Sequence, residues 1–193
     1  MTIRLVLLGP PGSGKGTQGE ALAVRLGIPT ISTGALFRDQ IGRGTPLGLE
    51  AQSYSSKGQL VPDSITNAMV DQRLDDPDVA QGFILDGYPR NVDQVERLDQ
   101  MLAQRGLEVD AIVELTLPEP LIVERLLKRA ELEGREDDTE PVIIKRLAVY
   151  REQTEPIAAV YRQRGGLLTV DGVGTVDEVG ERVLAALAAT TGT

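Results

Sequence analysis

The chain of 193 residues contains no cysteine and no histidine. Without cysteine there are no disulfides, no thiolate nucleophile and no cysteine-based zinc site. Without histidine, proton transfer near neutral pH would fall to a perturbed carboxylate or lysine, unless the reaction needs no base. Positive charge is also scarce: Lys and Arg total 20 against 29 Asp and Glu, a net charge of −9. That balance argues against a general nucleic-acid binder, whose footprint is a basic surface. No apolar run approaches the ~20 residues that span a bilayer, and the N-terminus lacks the layout of a signal peptide. The expected setting is the cytoplasm, with neither a membrane nor nucleic acid as partner. The 41% of hydrophobic and 25% of charged residues are those of a soluble globular protein of one domain.

What is present begins with Gly9-Pro10-Pro11-Gly12-Ser13-Gly14-Lys15-Gly16-Thr17. It follows the apolar run Ile3 to Leu8 and leads into an amphipathic segment closed by Gly27. Strand, glycine loop and helix in that order make a phosphate cradle. Successive backbone N–H groups turn inward, the helix start adds its positive dipole end, and Lys15 supplies a full charge. Gly16 occupies the position where Ser or Thr usually follows the lysine, and the hydroxyl arrives one residue later at Thr17.

Further along, Ile28 to Ser32 reads as a second strand, and Ser32-Thr33-Gly34 turns into a helix ending near Gly42 to Gly44. Pro46 to Lys57 reads as another helix, and Asp63 as the cap of one reaching about Leu74. Phe83 to Asp86 is a short apolar strand ending in a carboxylate, and Gly87-Tyr88-Pro89-Arg90 turns the chain. Asn91 caps a helix with Val92, Val95, Leu98 and Leu102 on one face and Gln94 three residues after the cap. Ala111 to Leu117 is a strand and Pro118 to Leu132 a helix with Arg125 and Arg129 on one face. A polar loop from Glu133 to Asp138 follows, then a helix opened by Pro141 and kinked or divided at Pro156. Leu167 to Val170 is the fifth strand; Thr175 and Glu178 form a capping box for the last helix, frayed after Ala188. Strands alternating with helices predict an α/β fold, a five-stranded parallel sheet with helices on both faces. Ligands bind such sheets beyond the carboxyl ends of the strands, where Gly9, Thr33, Asp86 and Gly172 should converge.

Asp86 at a strand end beside a glycine loop is placed to organise Mg²⁺ through water; alone, such a residue more often caps a helix or turn. Arg38, Arg90, Arg125, Arg129, Arg135 and Arg146 fall in turns on the same edge or on helices flanking the polar loop. Singly each reads as a solvated surface residue. Together they suit two phosphorylated ligands that must approach each other, because guanidinium groups fork onto phosphate oxygens and offset the repulsion of two anions. A phosphate monoester, with its second pKa near ~6, attacks as an anion without a base, which accords with the missing histidine.

These motifs, with Gly82 to Arg90 and Gly134-Arg135-Glu136-Asp137-Asp138, resemble those of adenylate kinases over essentially the whole chain, and the Gly16-Thr17 variant is how that family writes its phosphate loop. The resemblance implies a P-loop fold with a core of 1–32, 62–128 and 139–193, an AMP-binding insertion at 33–61 and a short lid at 129–138. It implies reversible transfer from MgATP to AMP, giving two ADP. Gly12, Ser13, Gly14, Lys15, Gly16 and Thr17 would hold the ATP phosphates, Arg125 would flank adenine, Arg129 would contact the ATP phosphates, and the backbone of Gly174 would lie beside the base. Thr33, Arg38, Gln59, Leu60, Val61, Gly87, Tyr88, Pro89, Arg90 and Gln94 would form the AMP pocket, with Arg135 and Arg146 closing over the reacting phosphates. Thr33 with Gln94 favours AMP over pyrimidine monophosphates. Thr17 and Asp86 would hold Mg²⁺ largely through water. The catalytic set would be Lys15, Asp86, Arg90, Arg129, Arg135 and Arg146.

The chain departs from the family at Ala35, where an acidic residue that helps position magnesium's water shell usually follows Ser-Thr-Gly. Its lid is short and, lacking Cys and His, is expected to carry no structural zinc. A kinase for another monophosphate such as UMP or CMP keeps the same class. A nucleotide-switch protein is the alternative of a different class, and the Asn-Lys-x-Asp sequence expected of a guanine reader is absent. A monomer is the expected state, since no exposed apolar helix stripe demands a partner.

Overall fold

A computed structural model describes residues 2–133 and 139–191. Among these, β1 (Ile3–Leu8), β2 (Thr30–Ser32), β3 (Gly82–Asp86), β4 (Ala111–Thr116) and β5 (Leu167–Asp171) form one sheet in the order β2-β3-β1-β4-β5. Every pairing is parallel, with Leu5 opposite Ile84 on one side and Ala111 on the other. The expected fold class is borne out. β1 and β3 are the most apolar runs and lie inside the sheet, where both faces are covered; β5 has only Val170 buried and takes an edge.

Alternation along the strands splits the core into two layers. Ile3, Leu5 and Leu7 join Ile84, Val113 and Leu115 under α1 (Lys15–Leu26) and α9 (Val176–Thr191), meeting Leu22, Val179, Val183 and Leu187. Val6, Leu8, Phe83, Leu85 and Ile112 face the other way, toward α4 (Asp63–Arg73), α5 (Val92–Ala103) and α8 (Glu155–Gln163), meeting Val70, Val95, Leu98, Met101, Ile157 and Tyr161. Each large apolar side chain so buried stabilises the fold by roughly 1.5–3 kcal/mol before the entropy of ordering it is subtracted. A third, smaller cluster of Ile122, Leu126, Ile143 and Leu147 joins α6 (Glu119–Glu133) to α7 (Glu140–Val149). Between β2 and α4, α2 (Thr33–Gly42) and α3 (Pro46–Ser55) pack on each other at Gly48, where a Cβ would come within 2.2 Å of the Gln40 carbonyl oxygen.

Several local expectations need correction. Asp63 is not a cap: Pro62 precedes α4 without a side-chain cap bond, and the Asp63 carboxylate instead accepts from Asn91 Nδ2 (2.9 Å) and Gln94 Nε2 (2.6 Å). Val92 is 37% exposed, and Met101 takes its place in the α5 stripe. The first helix starts at Lys15, within the glycine loop as read, the second strand starts at Thr30 rather than Ile28, and the last helix continues through Thr191. A 3-10 turn at Pro77–Gln81 precedes β3 without an advance signal from periodicity. The capping box of α9 forms as read, Thr175 N donating to Glu178 Oε2 (2.8 Å) and Glu178 N to Thr175 Oγ1 (3.3 Å). Pro156 also acts as read. It has no N–H to continue the α-helical ladder, and the chain passes from α7 through a wider π-turn, Tyr150–Thr154, into α8.

Candidate active site

The glycine loop leaves β1 and enters α1 beneath α6. Gly12 and Gly14 adopt positive φ of 81° and 91°. A Cβ on Gly12 would stand 2.9 Å from Leu126 Cγ, so this turn is open only to glycine. Gly14 ends the loop in the left-handed region, no side chain caps α1, and its first turn contains no acidic residue. The helix start is therefore a concentration of N–H donors with nothing anionic beside it in sequence.

Lys15 folds back over this loop and donates to the carbonyls of Gly9 (2.7 Å) and Pro10 (2.9 Å). Withdrawal from water lowers its pKa to about 8; Asp86 opposes that shift, while Arg90 and Arg129 add to it. Among the described residues these three side chains are the ones whose fields reach Lys15, so the glycine loop, the end of β3, the turn after it and α6 share one electrostatic centre. A Cβ on Gly16 would lie 3.7 Å from Asp86 Oδ2, which places that carboxylate against the start of α1.

The second strand-end turn meets the first at Asp86. Ser32 Oγ donates to Asp86 Oδ2 (3.1 Å) and accepts from Ala35 N (3.4 Å), capping α2 and orienting the carboxylate with one hydroxyl. Thr33 Oγ1 and Arg90 Nε both donate to the Gly87 carbonyl, at 2.9 and 2.8 Å. Arg90 stands deep among protein atoms yet accessible to water. Its pKa lies below the ordinary arginine value through loss of hydration, then through the fields of Arg146 and Arg38, with Asp86 opposing. Arg38 and Arg146 thus lie near enough to Arg90 for their charges to act on it. Arg146 is in the last turn of α7, and its Cγ would stand 3.3 Å from a Cβ on Gly58, in the turn beyond α3.

Not every expected residue presents its side chain. Gln94 is 2% exposed and its amide is engaged, Oε1 accepting from Arg90 N (2.7 Å) while Nε2 donates to Asp63. Tyr88 points into the core and donates to Asn67 Oδ1 (2.7 Å). Val61 is buried and Gln59 exposed, with Leu60 between these extremes. Arg135, Gly134 and the rest of the motif to Asp138, half of the expected lid, lie outside the described residues.

On the donor side, Arg125 Nη2 donates to the Gly172 carbonyl (3.2 Å), and its Nη1 would be 3.8 Å from a Cβ on Gly14. It bridges the glycine loop and the loop after β5. Sequence reading missed Arg182, which donates from one nitrogen to the carbonyls of Asp171 (2.7 Å) and Val173 (2.6 Å) and fixes the same loop from α9. It missed Ser32 as the partner of Asp86, although Ser32 stands in the quoted turn. It also missed Thr154, whose Oγ1 donates to the Arg90 carbonyl (2.7 Å). A hydroxyl inside a helical stretch gives no periodic signal.

The arrangement gathers positive charge suited to anions: the fields of Arg90 and Arg129 reach Lys15, those of Arg38 and Arg146 reach Arg90, and Asp86 acts on both. Among the described residues no group of three or more carboxylates or other ligating side chains could hold a metal by itself. The hard-oxygen set of Asp86 and Thr17 fits a cation kept mostly by water and substrate phosphates, which is the manner of Mg²⁺.

Comparison with known proteins converges on the same chemistry. A sequence model of the family described as adenylate kinase matches residues 7–166. The chain is similar to proteins named adenylate kinase from Mycolicibacterium vanbaalenii (56% identical, 96% of this chain and 99% of that one), Mycobacterium tuberculosis (54%, 96% and 99%) and Kocuria rhizophila (53%, 95% and 98%). With a phosphate loop, a second strand-end turn and a shared arginine cluster in place, the chain belongs to the adenylate kinase family.

Proposed function

We propose that the glycine loop binds ATP and the turn at Thr33 with the 87–90 segment binds AMP, so that the γ-phosphoryl group passes in line between them. Membership of the family makes the chain a phosphotransferase moving a phosphoryl group from ATP to AMP, reversibly to two ADP. The observation that carries the residue assignment is the meeting of Lys15, Asp86 and Arg90 in one field. Backbone N–H groups of Gly12 to Thr17 and the Lys15 ammonium take the donor phosphates. Arg90, Arg38 and Arg146 take the acceptor phosphate, and Arg129 and Arg135 the transferring group. Such guanidinium clamps stabilise charge spread over the phosphoryl oxygens, and one is worth on the order of 10³-fold in rate. No base is needed, because the acceptor is already an anion.

Mg²⁺ bound with ATP would be held by Thr17 and Asp86 largely through water and would neutralise charge on the phosphates. Ser32 keeps the Asp86 carboxylate turned toward that position. The segment 33–61 and the lid at 129–138 close over the ligands and keep out water, the competing acceptor. Arg125 and the 171–174 loop border the adenine of ATP, and Thr33 with the segment around Gln94 the base of AMP. The protein works as a monomer in the cytoplasm; no described helix is long and apolar enough to cross a membrane. A coupled assay of MgATP with AMP, CMP, UMP and GMP tests the assignment: ADP forms fastest with AMP, and faster turnover with a pyrimidine monophosphate overturns the acceptor reading.

A further inference from the structure

We infer that Thr154, in the π-turn between α7 and α8, is a positioning residue that holds Arg90 and Arg146 in register for phosphoryl transfer. This rests on the reading of both arginines as ligands of the reacting phosphates. Arg90 is held at both ends of its main chain by side chains. Its N–H donates to Gln94 Oε1 (2.7 Å) from α5, and its carbonyl accepts from Thr154 Oγ1 (2.7 Å) across the cleft. Its guanidinium is then tied at Nε to the Gly87 carbonyl. Of these restraints, only the Thr154 hydroxyl comes from the chain segment that also carries Arg146, which stands in the last turn of α7 immediately before the π-turn.

The need for a tether is electrostatic. Burial is the first cause of the lowered Arg90 pKa, and the fields of Arg146 and Arg38 lower it further against the opposing field of Asp86, so like charges are brought together at this turn. Without a fixed link, α7 and the turn after β3 would relax apart and regather at each turnover. The π-turn supplies the link because of Pro156: a proline cannot continue the α-helical ladder, and the widened turn before it ends on Thr154. Thr154 is half-buried and belongs to none of the fold's main apolar clusters, so the hydroxyl can be removed without touching the core.

The test compares Thr154→Val, which keeps the shape and removes the donor, with Thr154→Ser, which keeps the donor. Expected is a fall of about tenfold in kcat for the valine variant, the order of one hydrogen bond, with KM for ATP within about twofold and Ser restoring most of the rate. In an Arg90→Ala background the valine change should add little, since the group it positions is gone. Wild-type kcat in Thr154→Val, an equal loss in Thr154→Ser, or a KM for ATP that rises as far as kcat falls each overturn the inference. Far-UV circular dichroism and Tm confirm folding, and Thr154→Ala repeats the measurement if the valine variant does not fold. If Arg90→Ala itself keeps its rate, the reading of the site fails; if only Thr154→Val does, the site stands and the tether falls.

Discussion

If Lys15 takes the ATP phosphates as proposed, its lowered pKa makes that grip depend on pH over a window where an ordinary lysine would give none. Lys15 titrates near 8 in the free protein, against 10.5 for a free lysine. Burial is the main cause, and a bound polyphosphate reverses it, since an anion beside the ammonium favours its charged form. Only protonated Lys15 contributes its charge to binding. The fraction protonated falls from about nine tenths near pH 7 to about one tenth near pH 9, so the apparent Kd for ATP should rise roughly tenfold over that interval. Isothermal calorimetry at fixed magnesium and ionic strength reads it directly. Stability moves in the opposite direction. Between pH 8 and 10.5 the unfolded chain binds the Lys15 proton and the native one does not, so this group makes the native state more stable as pH rises. The gain is at most about 3 kcal/mol and smaller in practice, because Lys15 keeps some contact with water. Lys15→Arg, charged throughout, should remove the inflection. An affinity flat to about pH 9, or an inflection that survives in Lys15→Arg, refutes the reasoning.

Arg90→Ala removes a guanidinium at the centre of the cluster but no core packing. Steady-state kinetics should show a loss on the order of 10³-fold in kcat, with Tm within a few degrees of wild type. Ala35 is exposed at the start of α2, one helical turn from the Ser32 hydroxyl that orients Asp86. Ala35→Asp places a second carboxylate beside that position, so the magnesium concentration for half-maximal activity, and for half-maximal quenching of a fluorescent ATP analogue, should fall several-fold; an unchanged midpoint in both would place Ala35 outside the ion's reach.

Those features of fold and site that rest on short-range rules were legible in the chain. The apolar runs at Ile3–Leu8 and Gly82–Asp86 are bounded by glycine turns, and a parallel sheet sends both turns to one edge whatever the exact register. Arg38, Arg90 and Arg146 could be grouped for the same reason, since each stands beside such a turn or on a helix near the polar loop. Less legible were bonds between side chains far apart in sequence. Asp63 has the look of a cap from its local sequence, and the bond to Gln94, 31 residues away, overrides that preference. A capped helix end keeps roughly 1 kcal/mol, whereas a buried amide left unpaired costs about 1–3 kcal/mol, so the carboxylate goes where the larger penalty lies. The same ordering explains Gln94. Its spacing from Asn91 suggests a capping box, but a buried glutamine must satisfy both ends of its amide, and Arg90 N and Asp63 do so together. The proposed acceptor site is therefore pinned by a chain of bonds from α4 through Gln94 to Arg90, and by Thr154 from the π-turn. Polar residues that hold Arg90 from behind are set by tertiary geometry alone, which is why motif spacing finds Arg90 and not what steadies it.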